Sequence, residues 1–214
     1  MKRLFIIFTA ALMSVMAAAC NASDYSVSEE TGNTAIGADN PADNYEQEAE
    51  NKVLIAYFSA TGTTKAIAEN AANILDADLY VITPQTPYSD EDLKYYTGGR
   101  ADKEQNDPTA RPAISGSVQN IEQYNTVLLG YPIWHGQAPR IISTFLESYD
   151  FSDKTILPFC TSHSSGIGSS ADELQSLAEN ATWLKGESFS TDTTKEDIVI
   201  WLENNGLHDA SSLR

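Results

Sequence analysis

Residues 52–58 read Lys-Val-Leu-Ile-Ala-Tyr-Phe, a continuous apolar run whose length and β-branched content suit a strand. A strand with one wet face would alternate polar and apolar residues; an unbroken run points to a strand covered on both faces. The period then changes. Between residues 63 and 75, Ile67, Ala71, Ile74 and Leu75 recur at helical spacing. The pattern continues along the chain. Strands are expected over residues 78–83, 126–130, 155–160 and, with the least regular pattern, 182–189. Pro158 sits inside the fourth of these five runs, where it removes one ladder hydrogen bond. Helices are expected after Pro139 (Ile142, Phe145 and Leu146 inward), over residues 170–179 and over residues 195–204. Residues 84–125 are polar and rich in Pro, Gly and Asp, with one short helix expected around residues 90–96. Alternating strands and helices imply an α/β fold, with parallel strands joined by right-handed crossovers and helices on both faces. In such open sheets ligands sit beyond the carboxyl ends of the strands. The loops after Phe58, Gly130 and Cys160 are therefore expected to form one site.

The 214 residues suit one domain with appendages. A hydrophobic share of 42% excludes wholesale disorder. Thirty acids against 13 bases give a net charge of −17, which argues against nucleic acid as a partner and against adsorption to anionic lipid. Two cysteines make no disulfide framework, and no Cys/His cluster offers a zinc site. Lys2 and Arg3 precede an apolar stretch over residues 4–19 that ends in Ala17-Ala18-Ala19 and Cys20. It reads as an export signal, the alternative being a membrane span slightly short of the ~20 residues required. Small residues before a lone cysteine resemble the lipobox of bacterial lipoproteins, although Ala17 stands where leucine is usual. That resemblance implies lipidation at Cys20 and a protein anchored in a bacterial cell envelope, touching membrane through its lipid only. Cys160 would then be the one free thiol. Residues 21–51 hold eight acids, no Lys or Arg, and only Val27 and Ile36 as large aliphatics, and read as a disordered acidic linker. The expected domain spans residues 52–206, with a tail over 207–214.

The first loop of the domain is Ser59-Ala60-Thr61-Gly62-Thr63-Thr64. It leaves a buried strand and opens a helix, where unpaired N–H groups and a positive dipole end gather. Its hydroxyls add neutral donors, and no acid lies between Ser59 and Ala68. These features suit a phosphate; a threonine-capped helix start without ligand is the alternative. The Gly-x-x-x-x-Gly-Lys-Ser/Thr spacing of nucleotide triphosphatases is absent.

Ser59, Thr61, Gly62 and Thr64 match the Ser/Thr-x-Thr-Gly-x-Thr signature, and here the chain resembles the flavodoxin-like family over residues 52–206. The resemblance implies a doubly wound five-stranded parallel sheet in the order 2-1-3-4-5 and FMN as cofactor, its phosphate in the first loop. It also places the flavin ring against the second loop, Gly130 to Pro139, whose Gly-Tyr-Pro-Ile-Trp segment marks one branch of the family. Pro132, Ile133, Trp134 and His135 become the ring contacts there. Trp134 is the candidate stacking residue, or else a core aromatic. His135 stands where the family often has tryptophan; it could donate to a reduced flavin or be a surface histidine. Thr161, Ser162, His163, Ser164 and Gly166 in the third loop become contacts to the pyrimidine edge and ribityl chain. Tyr88, Tyr95, Tyr96, Arg100 and Arg111 either close over the flavin or belong to a solvated connection.

Three functions are compatible with these residues. The first is an FMN-dependent redox protein serving a redox partner protein or a small-molecule acceptor. The second is a quinone reductase that takes hydride from a nicotinamide nucleotide. The third is a flavin-free binding lipoprotein. Steady-state nicotinamide oxidation and the colour of the protein separate them.

Overall fold

A computed structural model describes residues 52–208. The export signal, Cys20 and the acidic linker lie outside the described residues, as does most of the tail. The chain begins with β1 (Val53–Tyr57), α1 (Thr63–Leu75) and β2 (Asp78–Val81). A small antiparallel pair follows, β3 (Thr83–Pro84) with β4 (Ile114–Ser115), and α2 (Arg100–Asn106) lies in sequence between them. Then come β5 (Thr126–Pro132), α3 (Arg140–Glu147), β6 (Thr155–Thr161), α4 (Ser170–Gln175), β7 (Thr182–Trp183), β8 (Glu187–Phe189) and α5 (Lys195–Asn204).

The main sheet runs β2-β1-β5-β6-β7, with β8 also pairing β6, and every pairing is parallel. This is the order that the resemblance implies, with the last strand in two pieces. Alternate residues face opposite sides. Ile55, Tyr57, Leu128, Leu157 and Phe159 pack with Ile67 and Ala71 of α1 and Ile198 and Trp201 of α5. Leu54, Ala56, Val127, Leu129 and Ile156 pack with Ile141, Ile142 and Phe145 of α3 and Leu174 of α4. Two apolar layers, one on each face, are why the strand sequences lack alternation. Each fully buried Leu or Ile contributes roughly 1.5–3 kcal/mol. Gly130 of β5 lies beside its β6 partner Phe159, and a Cβ there would overlap the Phe159 ring.

The split of the last strand has a backbone cause. The carbonyls of Lys154 and Ile156 accept from Thr182 and Leu184, so alternate residues of β6 turn their polar groups to this edge. Pro158 is the next such residue and has no N–H to give. Pairing stops after Trp183 and resumes at Glu187.

Residues 90–96 form turns rather than the expected helix. The Asp92 carboxylate accepts from the Ser89 amide and hydroxyl at 2.9 and 2.8 Å, and Tyr96 has a left-handed φ of 60°. Short polar side chains that bond locally compete with helix in this way. The helix falls instead at Arg100–Asn106, and α4 stops at Gln175 rather than continuing to residue 179.

Candidate functional site

The loop after β1 is shaped by its own hydroxyls. Ser59 Oγ accepts from the Gly62 amide at 3.1 Å. Gly62 occupies the N-cap of α1 with φ 96°, leaving that helix with no side-chain cap and no acid in its first turn. By contrast α5 starts with a capping box between Thr194 and Asp197. The first amides of α1 are thus left to an outside acceptor. Thr64 is buried, and its hydroxyl shares a 2.8 Å hydrogen bond with that of Thr161. That bond ties the first loop to the third.

The loop after β5 is held by a two-residue turn. Trp134 and Gln137 exchange backbone hydrogen bonds of 2.9 and 3.0 Å, with His135 at φ 51° and Gly136 at φ 79° between them. Two consecutive left-handed residues suit a type I′ turn. Gln105 of α2, buried, braces the turn: its side-chain amide donates to Trp134 and Ala138 carbonyls at 3.1 and 3.2 Å and accepts from the Arg140 amide at 3.1 Å. The Trp134 ring lies edge-on to Phe58 (5.4 Å, 87°) and Tyr88 (5.2 Å, 88°) and is 7% exposed. It joins the cavity wall as a largely buried aromatic packed against Phe58 and Tyr88. His135 donates through Nε2 to Asp102 at 2.8 Å and lies 5.2 Å from the rings of both Tyr95 and Tyr96.

In the loop after β6, the Ser162 amide donates to the Phe189 carbonyl at 3.1 Å. Ser162 Oγ accepts from the Ser165 amide at 3.0 Å. His163 and Ser164 are exposed. Cys160, just below, is buried, and burial pushes its thiol up to about 11. It is no reactive thiolate.

The three loops enclose one cavity of about 540 Å³, within the ~300–1,000 Å³ usual for small-molecule sites. Ala60, Thr61 and Thr63 line it from the first loop; Pro132, Ile133, Trp134 and His135 from the second; Thr161, Ser162, His163 and Ser164 from the third. Four residues expected in the site do not line it. Ser59, Gly62 and Thr64 shape the first loop from behind, and Gly166 lies further along the third. Leu93, Tyr95, Tyr96, Gly136, Ser165 and Thr191 complete the wall. The adjacent tyrosines carry a sequence signal; Thr191 carries none. Tyr88 and Arg100 form a separate cluster with Glu104, Arg100 lying 3.7 Å over the Tyr88 ring. Arg111 pairs with Glu147 at 2.7 Å. No Lys, Arg, Asp or Glu is among the lining residues, in a chain of net charge −17.

The family model for flavodoxins matches residues 52–205. The chain belongs to the flavodoxin family. No curated protein matches it. Among solved structures, a protein classed as a flavoprotein from Bacteroides eggerthii DSM 20697 is 43% identical. Their TM-score is 0.68, and the match covers 72% of this chain and 96% of that one. Its counterpart from Bacteroides uniformis ATCC 8492 is 39% identical at the same TM-score, covering 71% of this chain and 97% of that one. A flavoprotein from Lactobacillus acidophilus NCFM, solved in complex with FMN, shares the fold at 23% identity and TM-score 0.52, covering 66% and 94%. In this flavodoxin-family chain the phosphate signature and the cavity fall at the same place, the carboxyl end of β1.

Proposed function

We propose that the chain binds FMN in this cavity and works as a redox protein, passing electrons to a partner protein or a small acceptor. We further propose that it is exported and held at a membrane of the cell envelope by lipid on Cys20. The observation that carries the cofactor reading is the uncapped, acid-free start of α1 at the mouth of a cavity without charged lining residues. A phosphate dianion near a strongly acidic protein needs neutral donors and no carboxylate close by. The α1 amides with the Thr61 and Thr63 hydroxyls supply that set. Pro132, Ile133 and His135, with Tyr95 and Tyr96, offer apolar and aromatic surface to a planar ring. The third loop offers amides and hydroxyls to its polar edge. FMN, when bound, supplies reversible transfer of one or two electrons, while the protein supplies position and electrostatics.

The surrounding acidity has two effects. One exposed carboxylate ~10 Å from a reduced, anionic ring disfavours it by roughly 0.4 kcal/mol in water, less in salt, so several together lower the potential. The same field steers basic partners towards the protein.

The absorption spectrum of the purified protein after incubation with FMN and gel filtration tests the cofactor. The expected result is a yellow protein with the two bands of oxidised flavin. A colourless protein despite excess FMN would favour the flavin-free binding lipoprotein. Electron carriage also predicts no steady-state oxidation of NADH or NADPH with a quinone; turnover would assign the reductase role instead.

A further inference from the structure

The titratable groups on the cavity wall are His135, His163 and the phenols of Tyr95 and Tyr96. The two histidines are held differently. His163 is exposed on the third loop. His135 is bonded to Asp102, which is only 4% exposed. The other Asp102 oxygen accepts from the Gly98 amide at 2.9 Å. Burial opposes ionisation of Asp102, but the amides of Gly98, Tyr96 and Thr97 and the His135 ring outweigh it and hold the carboxyl below its ordinary value. Asp102 is therefore an enclosed anion, and among the described residues no lysine or arginine pairs with it. The imidazole is the group placed to balance it.

The turn between Trp134 and Gln137 holds His135 in a left-handed conformation that non-glycine residues rarely adopt. The rings of Tyr95 and Tyr96 lie against it at 34° and 67°. The titratable or charged groups facing the imidazole are thus Asp102, Tyr95 and Tyr96; its own turn brings none. With Nε2–H given to Asp102, Nδ1 of the neutral ring is an acceptor, and protonation turns it into a donor.

We propose that His135 is the charge-compensating residue of the cavity: when reduction places negative charge there, its Nδ1 takes one proton from solvent and Asp102 holds the resulting imidazolium. One N–H bond forms as one O–H bond of a solvent hydronium ion breaks, leaving water. This rests on the flavin reading above. With every other lining residue neutral or, like His163, without a carboxylate partner among the described residues, the pair couples proton uptake to electron uptake.

The test is an NMR titration of the histidine ring protons in the full-length protein with FMN, oxidised and then reduced with dithionite. The His135 midpoint should move up by about one pH unit or more on reduction, and the His163 midpoint by less. Asp102→Asn should lower the His135 midpoint in both states. Should that variant unfold the 96–102 turn, His135→Gln serves instead. Proton uptake on dithionite reduction near neutral pH, followed with an indicator dye, should then fall by up to one proton relative to wild type. FMN bound with the His135 midpoint unmoved, or with equal proton uptake in His135→Gln, would overturn this proposal alone. Failure to bind FMN at all would overturn the flavin reading, and this proposal with it.

Discussion

Trp134 shows how one side chain takes its role from partners distant in sequence. Phe58 closes β1 and Tyr88 lies beyond the β3 segment, yet both meet the indole edge-on. Truncating a large buried aromatic costs roughly 3–5 kcal/mol. Trp134→Ala should therefore lower the stability read by urea denaturation by about that amount. A loss under about 1 kcal/mol, accompanied by altered spectra of bound flavin, would assign the residue a stacking role instead. At this scale the second loop was the most legible part of the cavity wall, since Pro132, Ile133, Trp134 and His135 all line it, while only Ala60, Thr61 and Thr63 of the first loop do. The packing of Trp134 was less so, since an aromatic beside a strand end reads alike whether it packs inward or against a cofactor. Tyr95 and Tyr96 were visible as a pair. Their place at the cavity depends on a turn closed by Asp92 and Asp102 side chains, and no periodicity announces it.

Among the elements, β1, α1, β5, α3, β6 and α5 follow from hydrophobic period alone, because each buries a whole face or stripe in one of the two apolar layers. The elements that departed from expectation are set by local backbone and side-chain bonding rather than by period. The turns over residues 90–96 are governed by side-chain bonds to backbone, and the interrupted β7–β8 edge by a missing donor on Pro158. Between β5 and β6 the decisive contact is Gly130 beneath the Phe159 ring, which is itself locked edge-on to Phe189 and Trp201. A methyl group at Gly130 has nowhere to go, and overpacking of this kind costs typically 1–3 kcal/mol. Gly130→Ala should lower the thermal midpoint accordingly, with the sheet order unchanged. A neutral substitution would mean that Phe159 can swing aside and that β5 and β6 are less tightly apposed than they stand here.

For the whole molecule, a parallel sheet with both faces covered brings three loop ends together at one edge, so the site is a consequence of the strand order. That order was legible from alternation together with a family resemblance; alternation alone gives parallel strands without their sequence. The proposed anchor is tested by chemistry at Cys20. If it is the lipid attachment point, cells grown with a palmitate analogue should label the wild-type protein and leave Cys20→Ser unlabelled. Label retained by that variant would remove the anchor from the account.

The proposed cofactor site requires the start of α1 to grip a phosphate. Parallel fluorescence titrations of the protein with FMN and with riboflavin, repeated on Thr61→Leu, test it most directly. A hydrogen bond to a charged group is worth roughly 1.5–3 kcal/mol, so wild type should bind FMN about tenfold or more tightly than riboflavin, and Thr61→Leu should narrow that gap chiefly by weakening FMN. Equal affinity of the wild-type protein for the two ligands would contradict the claim.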